Sequence, residues 1–164
     1  MKKVKHYAKE ILFFIITMTI IANMMSIYRS QELAKEPLSI SSFELLDKSV
    51  YHVKSDKPLL IHFWATWCPT CNMEASNIEF LSKYFEVITI AVKSGSDEDI
   101  KKYLKEHNYH FRVFNDSSGV VAQEFHVSGF PTTFIYDKKS TLRFSEVGYT
   151  STLGLYLRIL WAGQ

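Results

Sequence analysis

Two cysteines set three positions apart follow directly on an apolar run. Leu59-Leu60-Ile61-His62-Phe63-Trp64-Ala65 leads through Thr66 into Trp67-Cys68-Pro69-Thr70-Cys71. A run of that length, uncharged and rich in branched and aromatic side chains, reads as a strand buried on both faces. Proline suits the first turn of a helix, so a helix is predicted to begin at Pro69. The chain is thereby committed to a buried strand that turns sharply into a helix carrying both sulfurs at its start. Cys68 and Cys71 are the only cysteines among 164 residues. A disulfide-stapled secreted domain would carry several pairs, and a tetrahedral zinc site would need a second ligand pair at similar spacing. Redox chemistry is the reading that a lone C-x-x-C favours.

The start of a helix exposes unpaired N–H groups and the positive end of its dipole. Only the thiolate attacks a disulfide, so Cys68, at that end, is the expected nucleophile. Cys71, one turn further in, is the expected resolving thiol. The intervening Pro69 and Thr70 bring no cation, which leans the pair mildly toward the reducing end of the range open to such motifs.

Other elements follow from the same patterning. A hairpin is predicted over Phe43–Val53, turning at Asp47-Lys48-Ser49. The helix from Pro69 is predicted to reach Phe85, with Met73, Ile78, Leu81 and Phe85 as its buried stripe. Glu86–Val92 reads as a second buried strand. Ser96 is a suitable N-cap for a helix over Asp97–His107, whose first turn is acidic. A strand over Phe111–Phe114, a turn over Asn115–Gly119, a short helix over Val120–His126 and a loop over Val127–Pro131 follow. The chain closes with strands at Thr132–Tyr136 and Thr141–Val147 and a helix over Thr150–Trp161. Alternating strands and helices of this kind predict a three-layer α/β domain on a mixed sheet.

The N-terminus is of another character. Lys2, Lys3, Lys5 and Lys9 lie in a basic head over residues 1–10, and residues 11–28 carry no charge. At about 1.5 Å per residue such a helix nearly crosses a hydrocarbon core of about 30 Å. A cleaved signal peptide is the competing reading, but Asn23–Ile27 fit an A-x-A-like cleavage site poorly. An uncleaved anchor is therefore expected, with the lysines in the cytoplasm, a linker over 29–38 and a domain over 39–164 outside. A net charge of +2 is too small to suggest nucleic acid.

Phe63-Trp64-Ala65-Thr66-Trp67-Cys68-Pro69-Thr70-Cys71 resembles the active-site segment of the thioredoxin superfamily, and Gly129-Phe130-Pro131-Thr132-Thr133-Phe134 resembles its second signature. The resemblance spans roughly Ser39–Ala162. It implies a thioredoxin-like fold, protein disulfide exchange through Cys68 and Cys71, a cis Pro131 facing the sulfurs, and Phe130 offering backbone hydrogen bonds to substrate. It implies no cofactor and no resident metal. Within the superfamily the chain is most similar to the membrane-anchored TlpA/ResA/DsbE group, on its anchor, leading hairpin and extra helix over Asp97–His107. Val92–Gly95 and the stretch from Gly148–Ser151 through Leu157–Trp161 look closest to the suppressor-of-copper-sensitivity D proteins. That group implies an inner-membrane anchor, a membrane electron donor of the DsbD type, protein thiol and disulfide partners, and a link to copper tolerance. A Cu(I) carrier using the same two thiolates is the alternative.

The departures sit at His62 and Ser76. Thioredoxin places a buried aspartate where this chain has His62, which becomes a candidate proton acceptor for Cys71 or, more simply, a neutral core histidine. Ser76 stands where thioredoxin has a helix-kinking proline. Glu74, one turn from Cys71, matches an acidic residue common in the group and is a candidate modulator of the thiols, with an exposed carboxylate as the plain alternative. Trp67 is expected to border the site. His107 and His110 are read as partners of a helix C-terminus rather than ligands.

Overall fold

The computed structural model describes residues 37–54 and 56–164 continuously, together with residues 7, 9–14, 16–18, 20, 21, 24 and 33. Seven strands and four helices follow one another over 42–162. They are β1 (Ser42–Glu44), β2 (Val50–His52), β3 (Leu59–Trp64), α1 (Pro69–Ser82), β4 (Glu86–Val92), α2 (Asp97–His107), β5 (Val113–Asp116), α3 (Val120–Glu124), β6 (Thr132–Tyr136), β7 (Leu142–Val147) and α4 (Thr152–Ala162). β1 and β2 pair as a separate antiparallel hairpin. The other five strands form one sheet in the order β5-β4-β3-β6-β7. β3, β4 and β5 run parallel; β6 pairs antiparallel with β3, and β7 antiparallel with β6.

The sheet is buried on both faces because β3, β4 and β6 alternate apolar side chains in both directions. Leu60, Trp64, Val87, Ala91 and Ile135 face one core, closed by α1, α2 and α4 through Cys71, Ile78, Leu81, Ile100, Leu155 and Ile159. Leu59, Ile61, Phe63, Ile88, Ile90 and Phe134 face the other, closed by the β1–β2 hairpin and α3 through Phe43, Tyr51, Ala122 and Phe125. The three-layer mixed-sheet architecture is the one expected.

Boundaries differ where backbone pairing overrides composition. β5 begins at Val113, not Phe111, because Val113 is the residue that meets Thr89 of β4. It continues through Asn115 and Asp116, both turn formers, because they pair with Ala91 and Val92. α1 stops at Ser82 rather than Phe85, its last turn closed by Tyr84 and Phe85 N–H groups on the Leu81 carbonyl. α3 ends at Glu124, short of His126, and α4 starts at Thr152, capped by the Ser151 hydroxyl. Ser96 caps α2 as expected, within a reciprocal capping box with Asp99.

Ile78 and Leu81 of the expected α1 stripe are buried, but its first member is not the one expected. Met73 is 68% exposed, whereas Glu74 is fully buried with Cys71, Ala75, Ile78 and Leu81. Positions 71, 74, 75 and 78 share one helical face, and 73 points about 100° away. Among the described residues no helix is long and apolar enough to cross a membrane. The expected span over 11–28 lies partly outside them, at residues 15, 19, 22, 23 and 25–28.

Candidate active site

β3 delivers the site. It is buried over its whole length and ends at Trp64, so the chain must leave the sheet there. The exit loop is tied to β4's end: the Thr66 N–H donates to the Ser94 hydroxyl at 3.1 Å, and Ser94 donates to the Val92 carbonyl. Cys68 is then the N-cap of α1, in extended conformation, with Pro69 at the first helical position. Its Sγ accepts from the Cys71 N–H at 3.2 Å, filling with sulfur the place an oxygen cap would take. Cys68 and Cys71 are joined as a disulfide, their Cα atoms 5.3 Å apart. Both are buried, Cys71 the more deeply, while Pro69 lies exposed and Thr70 half-buried beside them.

The second sequence signature meets the first. The Phe130–Pro131 bond is cis and Pro131 is buried. The Phe130 ring stands edge-on to Trp67 with centroids 5.7 Å apart. Trp67 is 60% exposed, its indole N–H donating to the Lys93 carbonyl at 3.0 Å. Two segments sixty residues apart in the chain thus form one rim, with an aromatic pair beside the sulfurs.

Beneath the rim runs a polar row, buried as far as Thr133 and half-buried at Glu146. His62 on β3 faces Thr89 on β4 and Thr133 on β6, and Thr133 faces Glu146 on β7. His62 Nδ1 lies 2.9 Å from the Thr133 hydroxyl, and the Trp64 indole donates to Thr89. Residues on alternate positions of a strand share a face, so His62 lies with Leu60 and Trp64 on the α1 side. Complete burial pushes its imidazole down to about 3.

Glu74 projects from α1 on the face that carries Cys71. Neither carboxylate oxygen has a well-formed hydrogen bond. Burial, reinforced weakly by the Glu146 charge and opposed by the Thr150 backbone, pushes its carboxyl up to about 8. The exposed-carboxylate alternative is thereby overturned. His107 ends α2 with its Nδ1 against the Tyr103 carbonyl, and His110, three residues on, approaches Glu79. The sequence motifs ran through Thr133, Ser94 and Lys93 but gave none of them a role of its own. Each acts through a partner on another strand or loop, which spacing along the chain does not reveal.

A central mixed sheet, a disulfide at the head of α1 and a cis-proline loop against it define a thioredoxin-like thiol–disulfide oxidoreductase. Residues 39–145 match the model of the AhpC/TSA family, and the chain belongs to that family. It is 29% identical over 163 residues to a thioredoxin-like protein of Haemophilus influenzae, covering 98% of this chain and 97% of that one. It is 32% identical over 93 residues to the thiol:disulfide interchange protein DsbE of Pseudomonas aeruginosa, where the match covers 56% of this chain and 52% of the relative's length. The crystal structure of StoA from Bacillus subtilis superposes with a TM-score of 0.66 at 19% identity, over 76% of this chain and 98% of that one, a likeness of fold.

Proposed function

We propose that the chain is a membrane-anchored, extracytoplasmic reductase of protein disulfides. The observation that carries it is the Cys68–Cys71 pair at the head of α1, set beside the cis Phe130–Pro131 loop. In the reduced protein the Cys68 thiolate faces the Cys71 N–H and the positive end of α1. It attacks one sulfur of a substrate disulfide; a Cys68–substrate disulfide forms and the other substrate sulfur leaves as thiolate. Cys71 then loses its proton and attacks Cys68 Sγ, closing the Cys68–Cys71 disulfide and releasing the second substrate thiolate. Two electrons pass to the substrate. A membrane dithiol donor of the DsbD type would restore the pair. Phe130 would offer its backbone to the substrate strand, and Trp67 would cover its flank.

His62, the candidate acceptor of the Cys71 proton, does not fit that role, whereas Glu74, expected only to modulate the thiols, does. A thiol near its ordinary value of about 8.5 would give a proton to His62 only at a cost of about 7 kcal/mol. Glu74, raised to about 8 and one helical turn away, lies close to the thiol, so the fraction of it that is ionised at neutral pH takes that proton at little cost. His62 then serves as a neutral hydrogen-bonding strut for Thr133. The basic head and the uncharged run at 11–28 support the anchor and its orientation.

Expression of Cys71→Ser in cells tests the reading. Partner proteins are expected to accumulate as mixed disulfides on Cys68, separable by non-reducing electrophoresis. Absence of any trapped partner, with tight Cu(I) binding by the unmodified protein, would replace the reductase by the copper carrier.

A further inference from the structure

A groove of about 660 Å³ opens beside the Trp67–Phe130 pair. Val92, Ala122 and Val127 give it an apolar floor, and Lys93 and His126 stand on its walls. Neither of these two side chains has an ion pair or hydrogen bond among the described residues. The neighbouring carboxylate, Asp116, is buried and turned inward onto the Ala122 N–H at 2.8 Å. The lysine is held in place. Its N–H donates to the Asp116 carbonyl, its carbonyl receives the Trp67 indole, and its stem lies on Gly119. A Cβ on Gly119 would come within 2.8 Å of Lys93 Cε. Gly119 thus leaves space that the lysine stem occupies, with the ammonium over the groove.

We propose that this groove receives an acidic side chain of the substrate polypeptide, carried close in sequence to the cysteine that Cys68 attacks. The inference rests on the reductase reading and names the substrate class for it. Trp67 adjoins Cys68 in the chain and, with Phe130, also lines the groove, so the groove and the sulfurs share one rim. A chain lying along Phe130 therefore passes over the groove beside Lys93. The apolar floor excludes water from part of the contact, and the unpaired ammonium supplies the complementary charge.

The test uses the full chain in detergent, reduced and freed of reductant. Two short peptides carry their single cysteine as a mixed disulfide with thionitrobenzoate and differ by Asp or Lys two residues from that cysteine. Attack by Cys68 on the peptide sulfur expels the coloured thionitrobenzoate thiolate, and Cys71 then frees the peptide thiol. The Asp peptide is expected to react about fivefold faster at low ionic strength, with the ratio falling toward one in high salt. Lys93→Glu is expected to bring the ratio below one. Lys138→Glu makes the same change of charge on the β6–β7 turn, at the opposite end of β6 from Pro131, and should leave the ratio standing. A ratio near one in the unmodified protein, or one that Lys93→Glu leaves unmoved, overturns the acidic-substrate assignment while the reductase reading stands. Failure of the unmodified protein to discharge either peptide overturns the reductase reading and the assignment with it.

Discussion

Glu74 makes the fold's stability depend on pH in a way that one isosteric substitution isolates. Its carboxyl titrates near 4.5 in an unfolded chain and near 8 in the folded one, because burial penalises the charged form. Between those values the native state holds a proton that the unfolded state has lost, so stability falls as pH rises. His62 acts in the opposite sense. Its folded value is depressed to about 3 from 6.5, so below 6.5 the unfolded chain binds a proton that the native one refuses, and stability falls as pH drops. From 4.5 to 6.5 the two slopes cancel. The unmodified protein is therefore expected to show a plateau there, a decline from 6.5 to 8 and another below 4.5. Glu74→Gln keeps shape and polarity but cannot ionise. Subtracting its unfolding free energy from that of the unmodified protein removes His62 and every other common group. Integrated between pH 5 and pH 8, the difference should grow by about 3.5 kcal/mol in favour of Glu74→Gln. In urea, at a slope of about 2 kcal/mol per molar, the midpoint gap should widen by about 1.7 M. The disulfide form is the one to use, since its cysteines do not titrate. A midpoint gap that stays constant over pH 5–8 would refute the buried, proton-holding carboxyl and with it the proton path assigned to Cys71.

Two further outcomes follow from single contacts. His62→Asn removes the acid-side slope, so its stability should climb toward pH 4.5 instead of levelling; thermal unfolding by circular dichroism across pH 4.5–6.5 checks this, and a retained plateau would clear His62 of the effect. Ser96→Ala deletes the side-chain half of the α2 capping box, with an expected loss of about 1 kcal/mol and a Tm lower by about 3 °C; an unchanged Tm would mean that the cap is idle.

The legible parts of this chain were those fixed by residues adjacent in sequence. β4 and β6 were read to the residue because β-branched and aromatic side chains dominate them, and Ser96 because an acidic first turn followed it. The cis bond before Pro131 came from a motif, and so did the pairing of its loop with the cysteines. Glu74 was read as a residue near Cys71, but not as a buried one. The choice between Met73 and Glu74 depends on the phase of α1 against the sheet, and hydropathy alone favours the methionine. The proton-holding chemistry was illegible for a related reason. Thr89, His62, Thr133 and Glu146 come from four strands, and only the register of β4, β3, β6 and β7 makes them a row. A shift of one residue in any of those pairings would turn a member to the opposite core. His62 would then lose the Thr133 hydroxyl that keeps it satisfied as a neutral group. The C-x-x-C names the reaction, while sheet register and helix phase decide which buried group can take its proton.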